Sequence, residues 1–344
     1  MKLITLVRFS LILTFIVVML GAYTRLADAG LGCPDWPGCY GHLTVPNETH
    51  EIALAQSLFP SLTVEEDKAW LEMIHRYFAG SLGLVVFAIS VIAIKTRQLP
   101  LLLAGAISVV VVFQALLGMW TVTMKLMPIV VMGHLLGGFT LFSLLAFCHW
   151  QLRQKSTPKQ PVKMVSPLRV VATITLVVVI AQIALGGWTS SNYAALMCTR
   201  LPICEGDWTA YLDFATAFDL IQPPRDSYEF GTLDYAARMT IHVTHRIGAL
   251  VVTLMVLLLS YRLWVTQQAS LRSVALSMLA MLVIQISLGI GNVLLSLPLI
   301  IAVAHNLGAA MLLLTVLKAN QLVWSLAEET QTQSSLITEE NAHE

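Results

Sequence analysis

Residues 71–80 read LEMIHRYFAG, and residues 241–250 read IHVTHRIGAL. Each stretch sets a His-Arg pair, His75-Arg76 or His245-Arg246, at the mouth of a long apolar run. Two more histidines, His134 in VVMGHLLGG and His305 in IAVAHNLGA, stand inside apolar runs of their own. The solvent that tolerates such runs decides the fold. The chain is 57% hydrophobic and 12% charged, with a mean hydropathy of +0.76, whereas a soluble domain carries about 25% charged residues. Runs of about 18 or more apolar residues are the length of a bilayer-crossing helix. Open sheet edges have no partners in hydrocarbon, so the expected class is all-α and polytopic. The formal net charge is zero and no basic tract is present, which removes the electrostatic footprint a nucleic-acid partner requires.

Eight spans are expected, at about 7–26, 72–94, 99–121, 127–150, 168–190, 236–261, 271–296 and 298–319. The start, with Lys2 and Arg8 before an apolar run, has the look of a signal peptide. The run is long for a signal core and no small-x-small site closes it, so it reads as the first span. Spans 99–150 and 271–319 read as hairpins turned near Met124–Pro128 and Ser296–Pro298, where a proline can open the following helix. Basic residues such as Arg8, Lys95, Arg97, Arg153, Lys155, Lys159 and Lys163 gather on one side of this layout. That side is expected to face the cytoplasm, with both termini, in a bacterial inner membrane. The long loops 27–71 and 191–235 then lie outside, and 326–344 is expected to be a polar, disordered tail.

The two halves repeat. LGAYT at 20–24 matches LGGWT at 185–189, and in each the glycine (Gly21, Gly186) precedes a cysteine by twelve positions. QALLG at 114–118 matches QISLG at 285–289, and Gly118 and Gly289 precede His134 and His305 by sixteen. An even number of spans per half gives a parallel repeat. The expectation is two four-helix bundles, residues 1–155 and 156–325.

Each outer loop holds two cysteines six apart, Cys33 and Cys39, Cys198 and Cys204. Outside the cytoplasm such pairs close as disulfides, Cys33-Cys39 and Cys198-Cys204. A thiol redox role and a shared zinc site are the rival readings.

A single histidine in a membrane helix is commonly a packing or gating residue. Four at matched depth point elsewhere. Paired imidazoles on facing helices suit haem iron, gripped from both faces of the macrocycle. They carry no charge into lipid, whereas copper or non-haem iron would ask for a third ligand or a carboxylate, and a proton path is the remaining competitor. Glu72, one turn before His75, has His242 as its counterpart before His245. A carboxylate there can accept protons or orient water, which makes the amino-terminal half the catalytic candidate. Its bland alternative is an interfacial acid paired with Arg76. His242 is a candidate supporting residue for its half. Arg76 and Arg246, with Arg25 at the end of the first span, are candidates to clamp a propionate, or else to reach the headgroups.

Taken in order, LGAYTRL with GLGCPDWPGC, EMIHR, the His134 span, LGGWT with its cysteine loop, His245-Arg246 and the His305 span strongly resemble haem A synthase, the CtaA/Cox15-type integral membrane enzyme. The resemblance covers about residues 1–325. It implies conversion of haem O to haem A for aa3-type cytochrome oxidases, the methyl at carbon 8 becoming formyl through successive hydroxylations and dehydration of a geminal diol. It implies that His75 and His134 flank the substrate, that His245 and His305 ligate a haem b cofactor, and that Glu72 is the family's essential glutamate. It also implies that Cys33 and Cys39 form the family's outer-loop disulfide, and that haem O synthase and a membrane electron acceptor are partners. The competing function is a bis-histidine dihaem electron carrier that performs no chemistry on the macrocycle.

Overall fold

The structure, a computed structural model, describes residues 2–153, 165–202 and 204–342. Lys155, Lys159, Lys163 and the expected boundary at 155/156 lie outside those residues. The described helices are α1 (Leu3–Leu26), α2 (Thr49–Leu58), α3 (Glu66–Thr96), α4 (Leu101–Thr123), α5 (Pro128–Arg153), α6 (Val165–Ser191), α7 (Phe214–Ala217), α8 (Tyr235–Val265), α9 (Ala269–Leu294) and α10 (Leu299–Ala342). Among the described residues, eight of these are long and apolar enough to cross a membrane. The chain is all-α and polytopic, as its composition required. The apolar part of α10 ends at Leu326.

Helix α3 begins six residues before the expected span, at Glu66, whereas α8 begins at Tyr235, one residue before its own. Glu66 and Asp67 occupy the first turn of α3, where acids complement the helix dipole. His75 therefore lies nine residues inside α3 rather than at its opening. Both hairpin turns use two consecutive left-handed residues, Lys125-Leu126 and Ser296-Leu297. Pro128 then opens α5, and Pro298 immediately precedes α10.

Other left-handed non-glycine residues also come in matched pairs, Asp28 with Tyr193 and Arg97 with Gln267. Their separations, 165 and 170, with 171 for both turn pairs, equal those of Gly21/Gly186, His75/His245 and His134/His305. The local backbone thus repeats with the sequence.

Contacts group the chain into two compact units. The first comprises Met1–Arg153, Ala184–Thr244 and Leu288–Leu307. Within it α1 packs on α3 and α5, and α4 packs on the same two helices, closing a ring of four. One end of this ring is filled by Val7, Val86, Ile89, Ile107 and Leu145, all fully buried. Loop 27–65 has a core of its own, in which Cys33, Cys39, Tyr40, Val45 and Ala55 pack on Ala69 and Met73 of α3. Tyr40 meets Phe59 edge-on, with ring centroids 5.7 Å apart. Trp188 of α6 donates to the Ala217 carbonyl in the loop that follows, at 2.8 Å. Gln222 joins Asn192 and Thr232 there at 2.7 and 3.0 Å.

The second unit comprises Gln154–Ile183, His245–Ser287 and Gly308–Glu344. Asn320 of α10 ties to the Ala172 carbonyl of α6 at 2.9 Å, and Thr175 of α6 to Met255 of α8 at 3.5 Å. Buried polar side chains in an apolar bundle are satisfied in this way.

Candidate functional site

Helix α3 gives Met73 to the loop cluster and Leu82 to the helix cluster, and a layer lies between those two. His75 of α3 and His134 of α5 meet in that layer, ring centroids 6.5 Å apart and planes at 88°. Each ring lies against a glycine. A Cβ on Gly21 of α1 would come 2.8 Å from Cε1 of His75, and one on Gly118 of α4 would come 3.4 Å from Cε1 of His134. The backbone carbonyls of Val17 and Gln114, one turn before those glycines, face the same two rings. Neither Nδ1 attains full hydrogen-bond geometry, and both are buried. The repeat extends to His305, where a Cβ on Gly289 would lie 3.1 Å from Cε1.

This donor set fits a metal-centred disc. A metal–imidazole bond is about 2 Å long, so two rings on opposite faces of one metal stand with centroids on the order of 6 Å apart. Among the described residues no group of three or more His, Cys, Asp or Glu could hold a bare ion, which leaves the paired imidazoles as the candidate. The four loop cysteines form two disulfides, Cys33–Cys39 and Cys198–Cys204. In each loop a proline in cis, Pro37 or Pro202, stands four residues after the first cysteine. Cys148 is a free thiol, buried in the helix core.

Glu72 is 5% exposed and held at both oxygens. Oε2 accepts the Cys33 amide at 2.9 Å, and Oε1 pairs with Nη2 of Arg76 at 2.5 Å. Nη1 of Arg76 donates to the carbonyls of Asp35 and Pro37 at 2.9 and 3.3 Å, and to that of Gly38. Asp35 in turn accepts the Tyr40 and Gly41 amides at 2.6 and 2.9 Å. A single arginine therefore ties the catalytic candidate to the disulfide loop. Gly32 makes this approach feasible, because a Cβ there would lie 2.6 Å from the Lys68 backbone of α3.

Arg25 is engaged as well. It donates to the Tyr193 hydroxyl at 2.7 Å and the Ser190 carbonyl at 3.0 Å, and its guanidinium lies 4.3 Å from the Tyr193 ring centroid. Tyr193 donates to Asp28 at 3.1 Å, and burial pushes the Tyr193 phenol pKa up. Of the expected anion clamps, Arg76 thus has both terminal nitrogens occupied, while Arg25 keeps a buried Nε without an acceptor. His242 is buried on α8. His245 and Arg246 follow it, and Gln182 of α6 places its amide nitrogen 2.9 Å from the His245 carbonyl.

The family model of the COX15-CtaA cytochrome oxidase assembly proteins matches residues 4–317. The chain belongs to this family. It is 54% identical over 330 residues to the haem A synthase of Shewanella oneidensis, covering 96% of this chain and 99% of that one. It is 27% identical to the haem A synthase of Caulobacter vibrioides, covering 88% and 90% of the two chains. Against that of Paracoccus denitrificans the identity is 25%, over 91% and 86%. A COX15-CtaA protein of the inner membrane is an oxidoreductase of haem A biosynthesis.

Sequence reasoning did not single out Gln182, Tyr193 or Asp35. For Gln182 a signal was present: glutamine stands four residues before Gly118, Gly186 and Gly289 alike, and only Gly21 is preceded there by valine.

Proposed function

We infer that this chain is a haem A synthase, converting haem O to haem A for cytochrome oxidase biogenesis. The observation that carries the reading is the pair His75 and His134, 6.5 Å apart, with Glu72 one helical turn away and fixed in place. The proposed site divides by half. His75 and His134 hold substrate haem O, and His245 and His305, with Arg246 nearby, hold a resident haem b. Haem b, when bound, supplies a one-electron relay.

Oxidising a methyl to a formyl group takes one water and releases four protons and four electrons. The electrons leave to a membrane electron acceptor. Glu72 is the proton acceptor, at the carboxylate held between Arg76 and the Cys33 amide. Because that carboxylate is anchored before substrate arrives, no reorganisation is needed as charge develops. Gly21 and Gly118 let the two imidazoles approach α1 and α4 closely. Arg25, through its remaining Nε, is the propionate contact best placed to serve this half. The arginine of the EMIHR motif serves by holding Glu72.

The arrangement proposed is two parallel four-helix bundles, residues 1–155 and 156–325. The basic side and both termini face the cytoplasm, and loops 27–71 and 191–235 lie outside. Lipid and haem O synthase, as the source of substrate, complete the set of partners.

The test is extraction and mass analysis of the tetrapyrroles from protein produced with haem O supplied. Haem A together with haem b is expected, and Glu72→Ala should retain both sites while making no haem A. Haem b alone, with haem O available, would instead indicate an electron carrier.

A further inference from the structure

We propose that Gln114 is a specificity-determining residue, its carboxamide donating to the hydroxyl group on the long side chain of haem O. The inference rests on reading His75 and His134 as the substrate pair, and deepens it by naming what this half recognises on the substrate.

Gln114 of α4 stands one turn from Gly118, and its backbone carbonyl faces the His134 ring. Its side chain crosses to α5, where a Cβ on Gly137 would collide with the amide Nε2 and lie 3.0 Å from Cδ. Gly137 follows His134 by three residues, so the two positions are neighbours on α5, about 5–6 Å apart. The Nε2 of Gln114 is buried with no acceptor. An amide nitrogen only donates, and hydrocarbon holds no water to take the bond. A donor left in this state beside the paired imidazoles points to an acceptor that arrives with the ligand.

Its position selects that acceptor. Glu72 precedes His75 by one turn, on the side of loop 27–65, to which the Cys33 amide binds it. Gln114 and Gly137 lie about a turn to the other side of His134, toward the cluster that holds Ile107 and Leu145. A disc held between the two histidines presents one edge to each side. Haem O carries its carbon 8 methyl next to a propionate, and its hydroxyfarnesyl chain on the edge opposite the two propionates. With carbon 8 at Glu72, the propionates lie on the loop side, where Arg25 stands in the last turn of α1. The hydroxyfarnesyl edge then faces Gln114. The hydroxyl is borne on the first carbon of that chain, close to the macrocycle, and every other substituent on that edge is hydrocarbon.

Gln285 holds the matching place in the half assigned to haem b, whose ring has no hydroxyl. There the glutamine has a partner within the protein, whereas the Gln114 nitrogen has none.

The experiment uses the whole membrane protein, purified with haem b and without haem O, as wild type, Gln114→Leu, Gly137→Ala and His75→Leu. Each is titrated with ferric haem O and with ferric protohaem, with no electron acceptor present, and binding is read from the absorption spectrum. Protohaem has a vinyl group in place of the hydroxyfarnesyl chain. The apolar contribution of the tail cancels when the same two ligands are compared in wild type and variant. Gln114→Leu should bind haem O about tenfold more weakly, the worth of one buried hydrogen bond, with protohaem affinity unchanged. Gly137→Ala, whose methyl must push the carboxamide aside, should lower the same ratio with the glutamine still in place.

A wild-type ratio in Gln114→Leu, or haem O and protohaem weakened alike, would overturn the assignment. Haem b content reports folding. Should Gln114→Leu lose haem b, Gly137→Ala is read in its place by the same criteria, and loss from both would make the contact structural and overturn the proposal too. If His75→Leu loses haem O binding in that same set, the substrate site survives the failure. If His75→Leu binds haem O as wild type does, the substrate site itself has failed.

Discussion

At the scale of single residues, the site is built as much from missing atoms as from present ones. A methyl group on Gly21 would fall 2.8 Å from the His75 ring, so Gly21→Ala must displace either the imidazole or α1. Overpacking of this kind costs about 1–3 kcal/mol. The expected result is weaker haem O retention and slower conversion, with haem b unchanged. Gly118→Ala, whose added carbon would lie at 3.4 Å, should be milder, and tetrapyrrole content of the two variants checks the order. Arg76→Leu strands a buried carboxylate and releases three loop carbonyls. Breaking a buried pair from one side costs about 3–5 kcal/mol, and a lowered melting temperature with faster proteolysis of loop 27–65 is expected. Arg76→Lys should recover little of this, since one ammonium cannot span Glu72 and the loop together. The meeting of His75 with His134 was legible in the sequence because ionisable groups stand out in apolar runs. The Arg76 bridge was not, because its partners lie some forty residues away, between 35 and 38, and no local spacing encodes that contact.

Among the elements, loop 27–65 behaves as a small domain stapled to α3. Removing its crosslink by Cys33→Ser with Cys39→Ser should destabilise the loop by about 2–3 kcal/mol, from the chain entropy of a short closed ring. Amide exchange across residues 33–41 would rise, and the Cys33 amide on Glu72 is the sensitive probe. Helix α2 carries its own acid switch. The amides of Asn47 and Glu48 donate to Glu51 at 3.0 and 3.2 Å, holding its carboxyl below the usual carboxylate range. A depressed pKa stabilises the fold above the ordinary carboxylate value, and that contribution is lost as pH falls through the lowered one. Exchange at Asn47 and Glu48 should therefore accelerate on acidification, and Glu51→Gln should abolish the pH dependence. The membrane helices were legible from apolar length alone, and both hairpin turns fell where proline marked them. Helix α2 and the first turns of α3 before residue 72 were not, because polar turns leave no hydropathy signal.

For the whole molecule, charge asymmetry makes a prediction that needs no structure of the loops. Cysteines introduced at Leu43 and Leu220, both exposed, should react with an impermeant thiol reagent added outside intact cells. One introduced at Arg97 should react only after the membrane is opened, and the reverse pattern would invert the proposed orientation. The repeat was legible in residue spacing, yet the backbone carries it in a form that spacing could not reveal. Asp28 and Tyr193, Arg97 and Gln267, Lys125 and Ser296, Leu126 and Leu297 share an unusual backbone hand, though only the final pair shares a side chain. A left-handed residue other than glycine costs about 1–2 kcal/mol, so four such coincidences are not casual. The second half is bent at the same places as the first, so the chain turns by a common plan that three different pairs of side chains obey.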